Sequence, residues 1–435
     1  MAENLIDLTP HPWRSALVAE AHARPPPEIS EPALVSRLIM HSGESDAGED
    51  RAHVLALCRT LGLAEPGSFA QRHRVDAGNI AIVWERHTEF STYTFTRVQS
   101  AEQPLNWRAA IEAAPDWWRK ALPGRLLASL HVALRQLPDD GAERRLYRDT
   151  FGREDLIESD LQDGSAKLVT DLRVDGDGFM RMLLFCVRQS DQQRGRLVQA
   201  LIEIETYRMA ALLGFAQARE TAGDLRRLEG AIAELSEEFS APADVARDRD
   251  LLERLTVIAG EAEALRTRTA YRYAATQAYW RIVTERIELL QDRPLAGAPG
   301  LGNFIQRRMA PAIRTCIAAD SRQGALTNQI GRATRLLATR VDVKVSEQNA
   351  QLLQSMDRRA KLQLRFQETV EGLSIVAITY YAIGVLGYLL GGLAKLGLDV
   401  NKSVVSMIAV PIIALAAGLG VHRLRKRLER DSEGH

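Results

Sequence analysis

The chain has 435 residues, and its 56 lysine and arginine residues balance 56 aspartate and glutamate residues, so the formal net charge is zero. This balance gives no overall electrostatic case for a nucleic-acid partner, and we expect none. The three cysteines, Cys58, Cys186 and Cys316, form no CxxC pair, which is typical of reduced cytosolic thiols. The length allows two or three domains.

The first 32 residues are rich in proline, including Arg24-Pro25-Pro26-Pro27. They predict an extended arm, because proline fixes φ and removes a backbone donor. The N-terminus has no basic segment followed by an apolar one. We therefore expect no signal peptide and a body that stays on the cytoplasmic side of the membrane.

Residues 33–190 predict a cytoplasmic α+β domain, α/β-like, with a mixed sheet. Predicted strands, rich in β-branched and aromatic residues, are 33–40, 80–84, 90–96, 126–137, 167–174 and 179–187, and predicted helices are 53–61 and 107–122. Asp175-Gly176-Asp177-Gly178 predicts a hairpin turn between the last two strands. The same residues resemble the start of a calcium loop, but position 186, where that loop needs glutamate, is cysteine.

Residues 191–370 predict long helices that form a coiled-coil-like stalk. We expect helices over 195–220 and 224–239, and a third from the Ser240-Ala241-Pro242 stop to about residue 291. The last helix should begin near Asn303, and Pro311 is expected to interrupt or restart it. Its apolar stripe runs through Leu326, Ile330, Ala333, Leu337, Val341, Val345, Leu352 and Met356. No helix stop follows before Gly372, so the helix should enter the next segment unbroken.

Two segments, 372–394 and 403–421, contain no charged residue over 23 and 19 positions. As helices they reach roughly 34 and 28 Å at about 1.5 Å per residue, enough to cross a hydrocarbon core of about 30 Å. They predict a transmembrane hairpin within 371–422. The alternative is a buried hairpin in the core of a soluble protein.

The charges around the hairpin predict its orientation. Basic residues flank it on both sides: Arg358, Arg359, Lys361, Arg365, Arg423, Arg425, Lys426, Arg427 and Arg430. The connecting loop, 395–402, carries only two lysines and Asp399. The positive-inside rule therefore predicts that both termini, including the basic tail 423–435, lie in the cytoplasm. The expected location is the inner membrane, with the lipid bilayer as a partner.

The start of the first apolar segment holds candidate pore or membrane-mouth residues. Glu368 and Glu371 lie three positions apart and share a helix face, as an acidic ring at a channel mouth would in a symmetric oligomer. Hydroxyl-bearing residues make the first segment more polar than the second, and the candidates among them are Ser374, Thr379 and Tyr381. The alternative is a pair of carboxylates in the headgroup layer.

Small residues spaced by four predict close helix packing, either within the hairpin or between protomers. They are Gly387 with Gly391 in the first segment, and Ala414 with Gly418 in the second. This pattern does not identify a pore. We expect self-association of the chain, with a pentamer as one arrangement.

Glu85, Arg86, His87 and Glu89 place four ionisable side chains between two predicted strands. Such a polar cluster could bind a ligand or transfer protons, and the alternative is a set of paired charges at a strand edge or turn. The sequence contains no GxGxxG, GxxxxGK(S/T), GxSxG or HExxH motif. We therefore expect no enzyme activity, no cofactor and no metal site.

Four long strings carry a resemblance to a known family: HPWRSALVAEAHARP, WERHTEFSTYTF, IEIETYRMAALLG and LLATRVDVKVSEQNAQLLQSMDRRAKLQLRFQETVEGLSIVAITYYAIG. Together they resemble a bacterial family of predicted membrane-anchored proteins of unknown function. The resemblance covers nearly the whole chain. It implies a membrane anchor and no assigned activity.

The order of the predicted parts is similar to that of CorA-type magnesium transporters, which are homopentamers. Those proteins carry Gly-Met-Asn at the end of the first span, whereas this chain reads Gly387-Tyr388-Leu389-Leu390-Gly391-Gly392. The motif is missing, so the resemblance carries over no residue. Two functions are left open: a membrane-tethered scaffold or regulator with an unknown cytoplasmic partner, and a CorA-like cation channel or transporter. A membrane-anchored enzyme is a third reading without a catalytic constellation.

Overall fold

A nine-stranded mixed sheet occupies the first part of the chain. The computed structural model describes residues 11–14, 17–18, 26–43, 48–68, 70–100, 103–138, 140–240, 244–295, 297–395 and 401–432. The strands are β1 (Ala33–His41), β2 (Arg72–Ala77), β3 (Ile80–Arg86), β4 (Phe90–Val98), β5 (Arg125–Arg135), β6 (Ile157–Leu161), β7 (Ala166–Val174), β8 (Met180–Cys186) and β9 (Arg293–Pro294). Their order in space is β2-β3-β4-β1-β5-β8-β7-β6-β9. Strands β5 and β8 pair in parallel and the remaining described pairs are antiparallel, so the predicted α+β class with a mixed sheet is confirmed.

Helices pack on both faces of this sheet. The described helices are α1 (Gly48–Leu61), α2 (Asp116–Lys120), α3 (Asp140–Phe151), α4 (Asp191–Phe239), α5 (Val245–Leu290), α6 (Leu301–Lys395) and α7 (Lys402–Ser432), and residues of the first six contribute to the two apolar clusters on the sheet. Successive strand residues point to opposite faces. Leu34 of β1 therefore belongs to an apolar cluster with Leu57 of α1, whereas its neighbour Val35 belongs to a second cluster with Leu201 of α4.

The described end of the predicted arm, residues 26–32, lies beside the start of α4. Ile29 donates its backbone N–H to the carbonyl of Asp191, 3.1 Å away. A Cβ atom on Gly195 would stand 1.6 Å from the carbonyl oxygen of Pro27, so this close approach requires glycine. Much of the earlier part of the arm, including His22 and Arg24, lies outside the described residues.

The prediction of one helix over 107–122 is wrong. This stretch forms a short 3₁₀ turn, Ile111–Ala113, followed by α2. Pro115 separates the two, because a residue before proline is disfavoured in the helical region. Ala114 is accordingly extended, with φ −86° and ψ 133°.

Two other predicted helix breaks are absent. The helices expected over 195–220 and 224–239 are one helix, α4, because the cost of Gly223, about 1 kcal/mol, is smaller than the gain from burying Leu225, Leu228 and Ile232. Pro311 lies inside α6 without ending it. It removes the donor for the carbonyl of Arg307, and both residues are exposed, so water can replace that hydrogen bond.

The three cysteines are free thiols in three separate places, and each is buried. Cys58 lies on α1, Cys186 ends β8 and Cys316 lies on α6. Burial raises the pKa of all three, that of Cys186 to about 12 and that of Cys316 to about 11. Each thiol therefore stays protonated and enclosed at neutral pH.

The chain divides into two compact units. One comprises Met1–Ser240 with Arg254–Ala333, and the other comprises Ala241–Glu253 with Thr334–His435. In the second unit the start of α5 packs on α6: Asp248 is buried and lies 3.1 Å from the guanidinium of Arg340. Leu251 and Leu337 are both buried there as well.

The apolar stripe predicted for α6 is therefore covered only in part. Leu326, Ile330 and Leu337 are each 4% exposed, whereas Val345, Leu352 and Met356 are 41%, 60% and 63% exposed. The prediction that no break occurs before Gly372 is confirmed, since α6 is a single helix of 95 residues. Its final apolar part and the segment Ser403–Arg423 of α7 are long and apolar enough to cross a membrane.

The two apolar segments contact each other within the second unit. A Cβ atom built on Gly418 lies 4.0 Å from Cδ1 of Ile375. Residues 396–400, most of the predicted loop, lie outside the described residues.

Replacement of Leu337 by aspartate should loosen the second unit, because it buries a carboxylate without a partner at a cost of several kcal/mol. We expect faster hydrogen–deuterium exchange in 245–253 and 334–345 of the Leu337→Asp protein. Leu336→Asp is the matched control, since Leu336 is 58% exposed. Equal exchange in the two variants would show that the face of Leu337 is open to solvent.

Candidate functional site

The predicted polar cluster lies at the turn between β3 and β4, and the sheet divides it. Glu85 and Arg86 are neighbours on β3, so their side chains point to opposite faces. His87 and Glu89 belong to the turn itself, where the backbone N–H of His87 donates to the carbonyl of Phe90 at 2.8 Å. The structure therefore forms three separate polar networks from residues that are adjacent in sequence.

Glu89 is the centre of the first network. Its carboxylate is 1% exposed and accepts hydrogen bonds from Arg272 and Tyr279 of α5, each at 2.8 Å. Nε2 of His41 lies 3.5 Å from the other carboxylate oxygen. Burial acts to raise the pKa of Glu89, but the hydrogen bonds from Arg272 and Tyr279 outweigh it and hold that pKa below its ordinary value. A carboxylate bound in this way joins the turn to α5 and is poorly suited to carry protons.

His87 contributes aromatic contacts to this region. The imidazole stacks on Phe90 with ring centroids 4.4 Å apart, and Tyr207 of α4 meets it edge-on at 6.2 Å. The turn is thus fixed by aromatic packing as well as by the ion pair of Glu89.

Arg86 forms the second network, on the opposite face. Its guanidinium lies 3.1 Å from the carboxylate of Asp50, which is 1% exposed on α1. The same carboxylate accepts hydrogen bonds from Ser91 at 2.7 Å and from Tyr93 at 3.4 Å. Burial and the neighbouring Asp50 raise the pKa of Tyr93, so its hydroxyl remains a donor. Asp50 therefore joins α1 to the edge of the sheet.

Glu85 forms the third network with two arginines on neighbouring strands. It accepts a hydrogen bond from Nε of Arg72 at 3.1 Å, and its other oxygen lies 3.7 Å from Nη2 of Arg37. Arg37 donates to the hydroxyl of Thr94 at 3.1 Å. This group lines a cavity of about 60 Å³ under α4.

A buried serine–histidine pair lies on the face of the sheet that packs against α1, and sequence reasoning missed it. Oγ of Ser36 is 2.7 Å from Nδ1 of His131, and both residues are at most 1% exposed. Phe179 stacks on the imidazole with centroids 4.0 Å apart. Burial lowers the pKa of His131 to about 4, so the ring is neutral at pH 7. The signal in the sequence is that polar residues interrupt two otherwise apolar strand patterns, Ser36 and Arg37 in β1 and Ser129 and His131 in β5.

The residues that resembled a calcium loop form the predicted hairpin between β7 and β8. The carboxylate of Asp175 accepts the backbone N–H groups of Asp177 and Phe179 at 2.8 and 2.9 Å, which closes the turn. Its other oxygen lies 2.6 Å from Nε of Arg181. Among the described residues, no group of three or more His, Cys, Asp and Glu side chains is placed to hold a metal ion.

The candidate membrane-mouth residues belong to the second unit. Glu368 is exposed and Glu371 half-buried. Ser374 and Thr379 donate their hydroxyls to the carbonyls of Val370 and Ile375 in their own helix, at 2.8 and 2.7 Å. These two hydroxyls therefore form hydrogen bonds with the backbone of their own helix.

The remaining candidates of the hairpin differ in exposure. Tyr381 is 73% exposed. Ala414 and Gly391 are half-buried. Gly387 is exposed, and a Cβ atom there would meet no heavy atom within 4 Å. Gly418 packs within the hairpin, while the surface at Gly387 is open.

Comparison with protein families identifies the chain at the level of family. Residues 9–428 match the profile described as Protein of unknown function (DUF3422). The chain belongs to the DUF3422 family. Comparison with curated proteins gives no significant match. The resemblance to a family of unknown function is confirmed.

The buried His131 makes a prediction about pH. Its pKa is about 4 in the folded chain and 6.5 ordinarily, so the unfolded chain binds the proton more readily. The contribution of neutral His131 to the free energy of unfolding is therefore fully present above pH 6.5 and is lost as the pH falls towards 4. The contribution of this residue amounts to about 3 kcal/mol at about 1.4 kcal/mol per pKa unit.

Denaturant titrations followed by tryptophan fluorescence at pH 7 and pH 4.5 test this value. His131→Asn should lose most of the difference in free energy of unfolding between the two pH values, whereas His73→Gln, at a half-buried histidine of β2, should retain it. A native pH dependence in His131→Asn would mean that other groups cause the acid sensitivity.

Proposed function

We propose that this protein is a membrane-tethered scaffold or regulator, whose folded body lies in the cytoplasm at the inner membrane of a bacterium. The observation that carries the proposal is α6, a single helix of 95 residues. Leu301 and Ile305, near its start, belong to the apolar core of the first unit, and its last turns form the first apolar segment. Covalent continuity through one helix ties the body to the anchor.

The networks of the first unit favour a binding role over catalysis. The carboxylates of Glu89 and Asp50 each accept several hydrogen bonds and are 1% exposed. Groups bound in this way have no free position for substrate or for a transferred proton. We therefore assign the body to recognition of a cytoplasmic partner.

Self-association is the second part of the proposal. Between Val345 and Val370 the apolar residues of α6 are exposed, namely Leu352, Leu353, Met356, Leu362, Leu364 and Phe366. Neighbouring copies of this helix would bury them by lateral packing. The basic residues Arg358, Arg359, Lys361 and Arg365 lie on the same stretch, and in this proposal they face the anionic headgroups of the cytoplasmic leaflet.

Cysteine labelling tests the anchor and its orientation. A cysteine introduced by Asp399→Cys should react with a membrane-impermeant maleimide added to intact spheroplasts, because the positive-inside rule places the loop outside. Gln348→Cys, at an exposed position of α6, is the matched control and should react only after permeabilisation. Labelling of Gln348→Cys in intact cells would reverse the assignment, and release of the native chain by carbonate washing would remove the anchor.

A second candidate function is a CorA-like homo-oligomeric cation channel or transporter. What favours it is the open surface of the first apolar segment, where Tyr380, Tyr381 and Tyr388 are 74%, 73% and 87% exposed and Gly387 meets no neighbour. Such a surface would allow first segments from several copies to surround an axis. Glu368 and Glu371 would then repeat at its cytoplasmic end.

Reconstitution distinguishes the channel from the scaffold. A channel predicts magnesium, potassium or sodium flux above that of empty vesicles, and Glu371→Gln should reduce it while native mass spectrometry shows an unchanged number of subunits. Glu347→Gln, away from the apolar segment, should leave the flux unaltered. A monomer, or no flux for any of the three cations, would exclude the channel, since one hairpin cannot enclose a pore.

A further inference from the structure

A cavity of about 60 Å³ lies inside the first unit, between the edge half of the sheet and α4. Arginines reach it from the sheet, from β1 and β2, and Gln199 and Glu203 reach it from α4. The pairing register explains this grouping: Arg37 lies opposite Thr94, which lies opposite Val83, which lies opposite Arg74. One row across four strands thus places two arginines and a hydroxyl on the same face.

Arg37 is the buried member of this group, with 4% of its surface exposed. Its Nη1 donates to Thr94 at 3.1 Å, and its Nη2 is 3.7 Å from Glu85, beyond a normal hydrogen bond. Its Nε is buried and has no acceptor. A guanidinium presents Nε and one Nη as a planar fork, so this edge of Arg37 has unused donor capacity.

The carboxylates around the cavity are already engaged. Glu203 accepts hydrogen bonds from Gln199 at 2.8 Å and from Nε of Arg286. Glu85 accepts Nε of Arg72 at 3.1 Å. Leaving a buried charged donor unsatisfied costs more than the typical hydrogen bond contributes. The group missing from this cavity is therefore an acceptor and not a donor.

We propose that this cavity binds a small oxyanion of the size of inorganic phosphate. The fork of Arg37 binds two of its oxygens, and Arg72 and the hydroxyl of Thr96 lie on the same walls. A volume of about 60 Å³ holds about four to six water positions at 10–15 Å³ each, which suits a four-oxygen ion and is small for a nucleoside. The site is independent of the membrane anchor and of the proposed scaffold function.

Isothermal titration calorimetry on the full-length protein in detergent tests the site with inorganic phosphate, at an ionic strength held constant with sodium chloride. The expected result is saturable binding of one phosphate per chain. Arg37→Lys keeps the positive charge but removes the fork, and should weaken binding at least tenfold, as expected for loss of a charge-assisted hydrogen bond. Arg173→Lys, at an arginine on β7 whose side chain is 59% exposed, is the control and should bind like the native chain.

A second variant guards against misfolding. Arg37→Met combined with Glu85→Gln removes both charges of the pair, which is better tolerated than removing one, and near-ultraviolet circular dichroism reports its fold. This folded variant should bind no phosphate, and AMP should bind the native chain at least tenfold more weakly than phosphate does. Absence of saturable heat with the native chain would overturn the proposal. Equal affinities for Arg37→Lys and Arg173→Lys, or for AMP and phosphate, would do the same.

Discussion

The apolar layer between α4 and the middle of the sheet determines where the other parts of the first unit lie. Leu197, Leu201 and Ile204 of α4 are at most 1% exposed and belong to the cluster that includes β1, β5 and β8. Two close approaches depend on this helix. Gly195 admits the carbonyl of Pro27, and Gly214 admits Thr276 of α5, whose Oγ1 would be 2.1 Å from a Cβ atom there. The hydroxyl of Thr276 donates to the carbonyl of Ala211, so α5 is held at hydrogen-bonding distance from α4.

Charge is buried mainly towards the β2–β3–β4 edge, where this apolar layer ends. Desolvation of an ion costs several kcal/mol, so buried pairs contribute little net stability, yet removing one partner is expensive. The pair of Glu89 with Arg272 and that of Arg86 with Asp50 therefore act chiefly on geometry. Each fixes a helix to the same turn from an opposite face of the sheet. The edge of the sheet is positioned by directional contacts, whereas its centre is positioned by apolar packing.

How far the sequence predicts this structure follows from these two kinds of packing. Strands β1, β4 and β5 were predicted because their apolar and β-branched residues produce a strong local pattern. Strands β2 and β6 were missed, since RHRVDA and IESDL are mostly polar and are strands only through their neighbours. The cluster at 85–89 was predicted as polar, but its division between two faces depends on the register. The Ser36–His131 pair joins residues 95 positions apart, a separation for which sequence spacing gives no signal.

The burial of the three cysteines has a practical consequence for site-directed chemistry on this protein. The thiolate is the nucleophile that attacks maleimides and nitroxide reagents, and here each native thiol is both enclosed and shifted towards its protonated form. The native chain should therefore give little background labelling when spectroscopic probes are attached to introduced cysteines. Spin labels or fluorophores can be attached in pairs along the exposed part of α6 without first replacing Cys58, Cys186 or Cys316. Distances between such probes would then be measured in a protein whose core still carries its original side chains.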